Sequence, residues 1–190
     1  MGQNRPMAEV FVIAGAAGSG KTTFGRALSA RLGMPLIDLD EATLGVVNAF
    51  RVRYPEMDEA AALTAVRDDR YLELQRAAVR VTAAGNSAIV TAPFTAEIAS
   101  EERWRSWIAP FGDVPVRLLW IAVTPEERLR RMRVRGASRD AGLVAASSET
   151  APLPEAPAPV VAYLRLDARH DSGKKARIVM SHFGNASPAI

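Results

Sequence analysis

Residues 10–22 read V-F-V-I-A-G-A-A-G-S-G-K-T, and this stretch decides the fold. Residues 10–14 are a short apolar run rich in β-branched side chains, the pattern of a strand buried on both faces. Residues 15–22 fill every fixed position of G-x-x-x-x-G-K-[ST], the pattern of a phosphate-cradling loop. Gly15, Gly18 and Gly20 allow torsions that other residues avoid, so the backbone can wrap closely around an anion. With Ala17 and Ser19 between them, their N–H groups form an anion nest. The helix that follows adds its positive N-terminal end. In such a loop Lys21 reaches the terminal phosphates, Thr22 ligates Mg2+, and Thr23 completes the cradle in the first turn. A glycine-rich turn can match eight positions by accident. Here an apolar strand precedes it and an amphipathic helix follows, with Phe24, Ala27, Leu28 and Leu32 on one face, which is the context the motif requires. The expected ligand is a nucleoside triphosphate, ATP or GTP, with Mg2+.

Outward from this motif, apolar runs alternate with helical patterns. The spacing predicts a helix over 22–32, stopped by Gly33, and strands over 35–39, 88–91, 115–123 and 160–166. Further helices are expected over 41–53, over 58–84 as one or two pieces, over 95–108 and over 171–183. The clearest helix start is Thr124-Pro125-Glu126-Glu127, an N-cap and proline with a capping-box glutamate, and its end falls near Gly136. Residues 145–159 are rich in Ala, Ser and Pro and read as loop. Strands alternating with helices predict a parallel sheet covered on both faces.

At 190 residues, 48% hydrophobic and 24% charged, the chain suits a single α/β domain over 1–190. It has no cysteine, which excludes disulfides, thiolate catalysis and Cys-ligated metals. Residues 1–9 are polar, and no apolar run approaches membrane-spanning length, so the expectation is a cytoplasmic protein, monomer or homodimer. The net charge of +3 comes almost wholly from arginine, since the only lysines are Lys21, Lys174 and Lys175. Arginine forks match phosphate oxygens, although codon composition can enrich arginine equally well.

Extended to Asp40, the first window reads G-A-A-G-S-G-K-T-T-F-G-R-A-L-S-A-R-L-G-M-P-L-I-D-L-D over residues 15–40. It resembles the opening of shikimate kinase and gluconate kinase, within the broader P-loop kinase group that includes chloramphenicol-type O-phosphotransferases. Residues 124–141, T-P-E-E-R-L-R-R-M-R-V-R-G-A-S-R-D-A, resemble the helix and arginine-bearing lid of the same group. The resemblance implies a three-layer P-loop NTPase fold with a five-stranded parallel sheet in order 2-3-1-4-5 and an arginine-rich lid at about 134–158. It also implies that Asp38 helps organise Mg2+ and that Asp40 faces the acceptor hydroxyl as base or positioner. Asp is equally a favoured N-cap, so either carboxylate could instead start the next helix.

Six arginines, Arg128, Arg130, Arg131, Arg133, Arg135 and Arg139, crowd a stretch with no acid before Asp140. Such a cluster repels itself unless anions lie near. Arg135 and Arg139 are candidates for the transferring phosphate, and Arg131 for the phosphates or base, while Arg128 and Arg130 read as a solvated face. Arg51, Arg53, Arg70 and Pro93 fall where these kinases bind their acceptor, and the arginines would suit an acidic or hydroxyl-rich substrate. Arg70 reads as a surface residue just as easily. Asp167 and Arg169 end the last strand, where the family places the nucleotide base. The third strand ends T-A-P-F, with neither an acid nor the glycine triplet of shikimate kinases, which argues against shikimate. The reading is a phosphotransferase acting on a sugar-like, polyol or antibiotic hydroxyl. A nucleotide-driven switch lacks the Asn-Lys-x-Asp signature, and a polynucleotide end kinase lacks a second basic groove.

Overall fold

A computed structural model describes residues 7–136, 141–147 and 153–184. Five parallel strands, β1 (Val10–Ala14), β2 (Leu36–Asp38), β3 (Ala88–Thr91), β4 (Val116–Ala122) and β5 (Leu164–Asp167), form one sheet in order β2-β3-β1-β4-β5. This is the predicted order, with β1 at the centre. Because side chains alternate along a strand, β1 serves two cores. Val10, Val12 and Ala14 pack with Tyr71, Leu74, Trp104 and Trp107 on one face. Phe11 and Ile13 pack with Phe24, Leu28, Ala176 and Val179 on the other.

The helices are α1 (Lys21–Leu32), α2 (Leu39–Ala42), α3 (Leu44–Arg53), α4 (Glu59–Ala65), α5 (Arg67–Ala83), α6 (Glu101–Ile108), α7 (Pro125–Arg135), α8 (Ala141–Ala146) and α9 (Ser172–Phe183). Their ends follow local chemistry. Asp58, Ser100, Thr124 and Asp171 each accept a backbone N–H three residues on, as N-caps do. Gly33 and Gly136 close α1 and α7 in the left-handed conformation. Gly25 lets α1 lie directly on the sheet, since a Cβ there would stand 2.7 Å from Thr91 Cγ2.

Three expectations need correction. The strand expected over 160–166 is confined to Leu164–Asp167, because only that segment pairs with β4. The helix expected over 95–108 begins at Glu101, after a turn that follows Phe94. The Ala/Ser/Pro-rich stretch begins with the last residues of α8 rather than with loop. Among the described residues no helix is long and apolar enough to cross a membrane.

Candidate functional site

The carboxyl ends of β1, β2 and β3 open onto a cleft of about 410 Å³. Its loop side is formed by Ala17, Gly18, Gly20, Lys21, Thr22 and Thr23. Gly18 and Gly20 take φ of 78° and 91°, torsions that only glycine adopts freely. A Cβ on Gly18 would also meet the Arg128 carbonyl at 2.9 Å, so α7 closes directly on the loop. Lys21 Nζ donates to the Ala16 carbonyl at 2.9 Å while lining the cleft. Gly15 and Ser19 are buried and do not line the cleft; the Ser19 N–H donates to the Ala16 carbonyl at 3.1 Å and its carbonyl accepts from Arg131.

At the base of the cleft three oxygens meet. Strand register sets Asp38 beside Thr91. Asp38 Oδ2 accepts the Thr22 hydroxyl at 2.9 Å and the Thr91 hydroxyl at 2.7 Å. Asp38 Oδ1 accepts the Asp40 N–H at 3.0 Å and caps α2. Asp38 thus caps α2 with one oxygen and gathers the two threonine hydroxyls with the other. An all-oxygen set of hydroxyl and carboxylate suits a hard cation such as Mg2+, which keeps water and phosphate as its other ligands. Among the described residues no cluster of three His, Cys, Asp or Glu offers a purely protein-built site.

The far side of the cleft carries one ion pair. Asp40 lies in α2 rather than at a strand end, with its side chain 46% exposed, and Arg70 Nη2 donates to its Oδ1 at 2.7 Å. Arg70 is not a surface residue. It is buried, and its Nε donates to Thr43 Oγ1 at 2.8 Å, which fixes the guanidinium plane against Asp40. The cleft is lined also by Leu39, Ala60, Leu63, Thr64, Pro93 and Leu143. The contributions of α4 (Ala60, Leu63 and Thr64) carried no local sequence signal, since they arise from how α4 packs.

Pro93 is held by an unusual turn. Phe94 adopts φ of 54°, which strains a non-glycine residue. The Tyr71 hydroxyl accepts the Phe94 N–H at 2.9 Å, and the Tyr71, Trp104 and Trp107 rings pack edge-on against Phe94. Burial, with the nearby Glu97 carboxylate, pushes the Tyr71 hydroxyl up to about 12. Arg67 lies over the Tyr71 ring at 4.3 Å and donates to both Glu97 oxygens. The pair Trp104 and Trp107 is thus core.

The arginines of α7 divide by face. Arg128, expected on a solvated face, is buried. Its Nε donates to the Ala17 carbonyl at 3.2 Å and its Nη1 to the Pro154 carbonyl at 2.9 Å. Arg131 donates to the Ser19 carbonyl at 3.2 Å and the Ala168 carbonyl at 3.0 Å, joining the loop to the end of β5. Glu127 anchors Arg130 and Arg131, and hydrogen bonds from both hold its carboxyl down at about 2. Arg135, in the last turn, lines the cleft. Arg139 lies outside the described residues, as does part of the expected lid.

Four other candidates fall elsewhere. Arg51 and Arg53 stand exposed on α3, which buries no residue, and they do not line the cleft. Asp167 and Arg169 pair with each other at 2.6 Å beside a second hollow of about 330 Å³, lined also by Trp120, Thr124 and Glu127. The Arg169 guanidinium holds the Asp167 carboxyl well below the usual carboxylate range.

A family model described as an AAA domain matches residues 10–150, about three quarters of the chain. The chain belongs to the AAA domain family. No curated protein matches it. Solved structures similar to this AAA domain protein include the gluconokinase from Sinorhizobium meliloti 1021, at 18% identity and TM-score 0.59 over 96% of this chain and 94% of that one. The Mycobacterium tuberculosis APS kinase in complex with AMPPNP and APS is 18% identical, with TM-score 0.60 over 95% and 99%. The Deinococcus radiodurans tunicamycin resistance protein is 18% identical, with TM-score 0.61 over 93% and 96%. At these identities the likeness establishes the P-loop NTPase fold of this AAA domain protein.

Proposed function

We propose that this chain is a Mg2+-dependent small-molecule kinase, transferring the γ-phosphate of ATP or GTP to a hydroxyl. One observation carries the reading: a phosphate loop and a fixed carboxylate, Asp40, face one another across a single cleft. Phosphoryl transfer asks a protein chiefly for alignment and charge neutralisation. The loop N–H groups and the α1 N-terminus would hold the phosphates, with Lys21 turning from its loop carbonyl to the terminal phosphate oxygens. Thr22, with Asp38 acting through water, would hold Mg2+, which when bound neutralises charge on the phosphate oxygens. Asp40, kept in place by Arg70, would receive the proton of the acceptor hydroxyl. Arg135, with Arg139, would stabilise charge on the phosphoryl group. The base would lie toward the hollow at Asp167 and Arg169, with Arg131 between the two sites.

The test is incubation with ATP or GTP and Mg2+ against sugars, polyols, nucleosides and antibiotics, read by mass. Gain of one phosphate on an acceptor supports the proposal. Triphosphate hydrolysis that no acceptor accelerates would count against it.

A further inference from the structure

Resting on that kinase reading, we infer that the acceptor is an alcohol with an apolar body, and that Leu63 selects it. The cleft is chemically divided. Its phosphate side offers main-chain amides, Lys21 and hydroxyls, whereas the Asp40 side is walled by Leu39 of α2 and by Ala60 and Leu63 of α4, which packs on the helix of Arg70. Among the described residues the polar groups of that wall are Asp40 with its partner Arg70, and the Thr64 hydroxyl, which donates to the Ala60 carbonyl at 2.9 Å. A sugar acid or polyol leaves water only where each hydroxyl finds a new partner, and an aliphatic wall supplies none.

Charge points the same way. Arg51 and Arg53, which would have welcomed an acidic acceptor, stand outside the cleft. Arg70 is committed to Thr43 and to Asp40, whose carboxylate would repel an anionic acceptor placed beside it. Among the described residues the remaining cations that line the cleft, Lys21 and Arg135, come from the phosphate loop and α7. What fits is a neutral molecule presenting one hydroxyl to Asp40 and an apolar face to Leu63. Leu63 is half-buried and reaches the cleft from α4, a helix in which only Ala62 is fully buried, so changing it does not open the core.

The experiment uses the full chain with ATP or GTP and Mg2+. Two acceptor sets are compared: apolar-bodied alcohols (2-phenylethanol, 3-phenylpropanol, an aryl propanediol) and hydrated ones (glycerol, gluconate, shikimate). Transfer is read by mass, with triphosphate uptake followed by calorimetry in parallel. Expected is transfer to members of the first set. In Leu63→Asn the acceptor KM rises roughly tenfold, more than the nucleotide KM, and in Leu63→Met it stays near wild type. Transfer confined to the hydrated set, transfer to neither set despite triphosphate uptake, or an acceptor KM indifferent to Leu63→Asn overturns the inference and leaves nucleotide binding standing. Absence of triphosphate uptake overturns the kinase reading and the inference together.

Discussion

Asp40 and Arg70 form the one ion pair that lines the cleft among the described residues, and its two ends differ in exposure. The arginine is buried and doubly tied, so it is the fixed end of the pair and the carboxylate the more exposed one. Asp40→Asn keeps the shape and removes the carboxylate proposed to receive the proton. Turnover should fall by two or more orders of magnitude while triphosphate affinity changes by less than about threefold, measured by steady-state rates and calorimetry. Tyr71 supports the turn that carries Pro93 into the cleft. Its hydroxyl satisfies the Phe94 N–H, so Tyr71→Phe leaves a buried donor unpaired and should cost about 1–3 kcal/mol at pH 7 in urea melts. Tyr71 also makes an alkaline signature. A phenol near 10 when unfolded and about 12 when folded binds more proton in the native state between those values. Stability therefore falls as pH rises from 10 toward 12, by about 2–3 kcal/mol for this group. In Tyr71→Phe that decline should be shallower, as melts across the range would reveal.

Among the elements, α7 has the least expected role. Sequence spacing placed its N-cap, proline and closing glycine, because each acts within one turn, whereas the capping-box glutamate turns its carboxylate to Arg130 and Arg131 instead. Its arginines could not be sorted the same way. Which guanidinium is buried depends on how the helix docks, and docking places Arg128 and Arg131 on loop carbonyls. The β1–loop–α1 unit was legible for the converse reason: its signal is a local pattern of strand, glycines and helix. Leu63 and Thr91 went unnoticed because only tertiary packing brings them to Asp40 and Asp38. Arg51 and Arg53 misled because nearness in sequence to Asp40 is not nearness across α3. If α7 splints the phosphate loop, Arg128→Ala should weaken triphosphate binding about tenfold, with Arg128→Lys a partial rescue, since one ammonium replaces a two-pronged donor. Unchanged affinity in Arg128→Ala would leave Arg128 a packing residue only.

For the whole molecule, sheet order decides where chemistry can happen. Placing β1 between β3 and β4 sets the phosphate loop at the centre of the sheet, with β2 and its Asp38 one strand beyond Thr91. The carboxyl edge then holds the phosphate loop, a cleft wall from α2, α4 and the turn after β3, and a second hollow beyond Arg131. Most of this was readable from residues 10–40, since the motif fixes both the strand and the loop; the cleft wall was not, because it is assembled from separate segments. The central claim is that this loop grips a triphosphate through Lys21. Titration calorimetry of wild type and Lys21→Ala with MgATP and MgGTP tests it directly. The account predicts saturable uptake of at least one triphosphate by wild type, and an affinity at least about tenfold lower in Lys21→Ala. No heat with either nucleotide, or equal affinity in the two proteins, would contradict it.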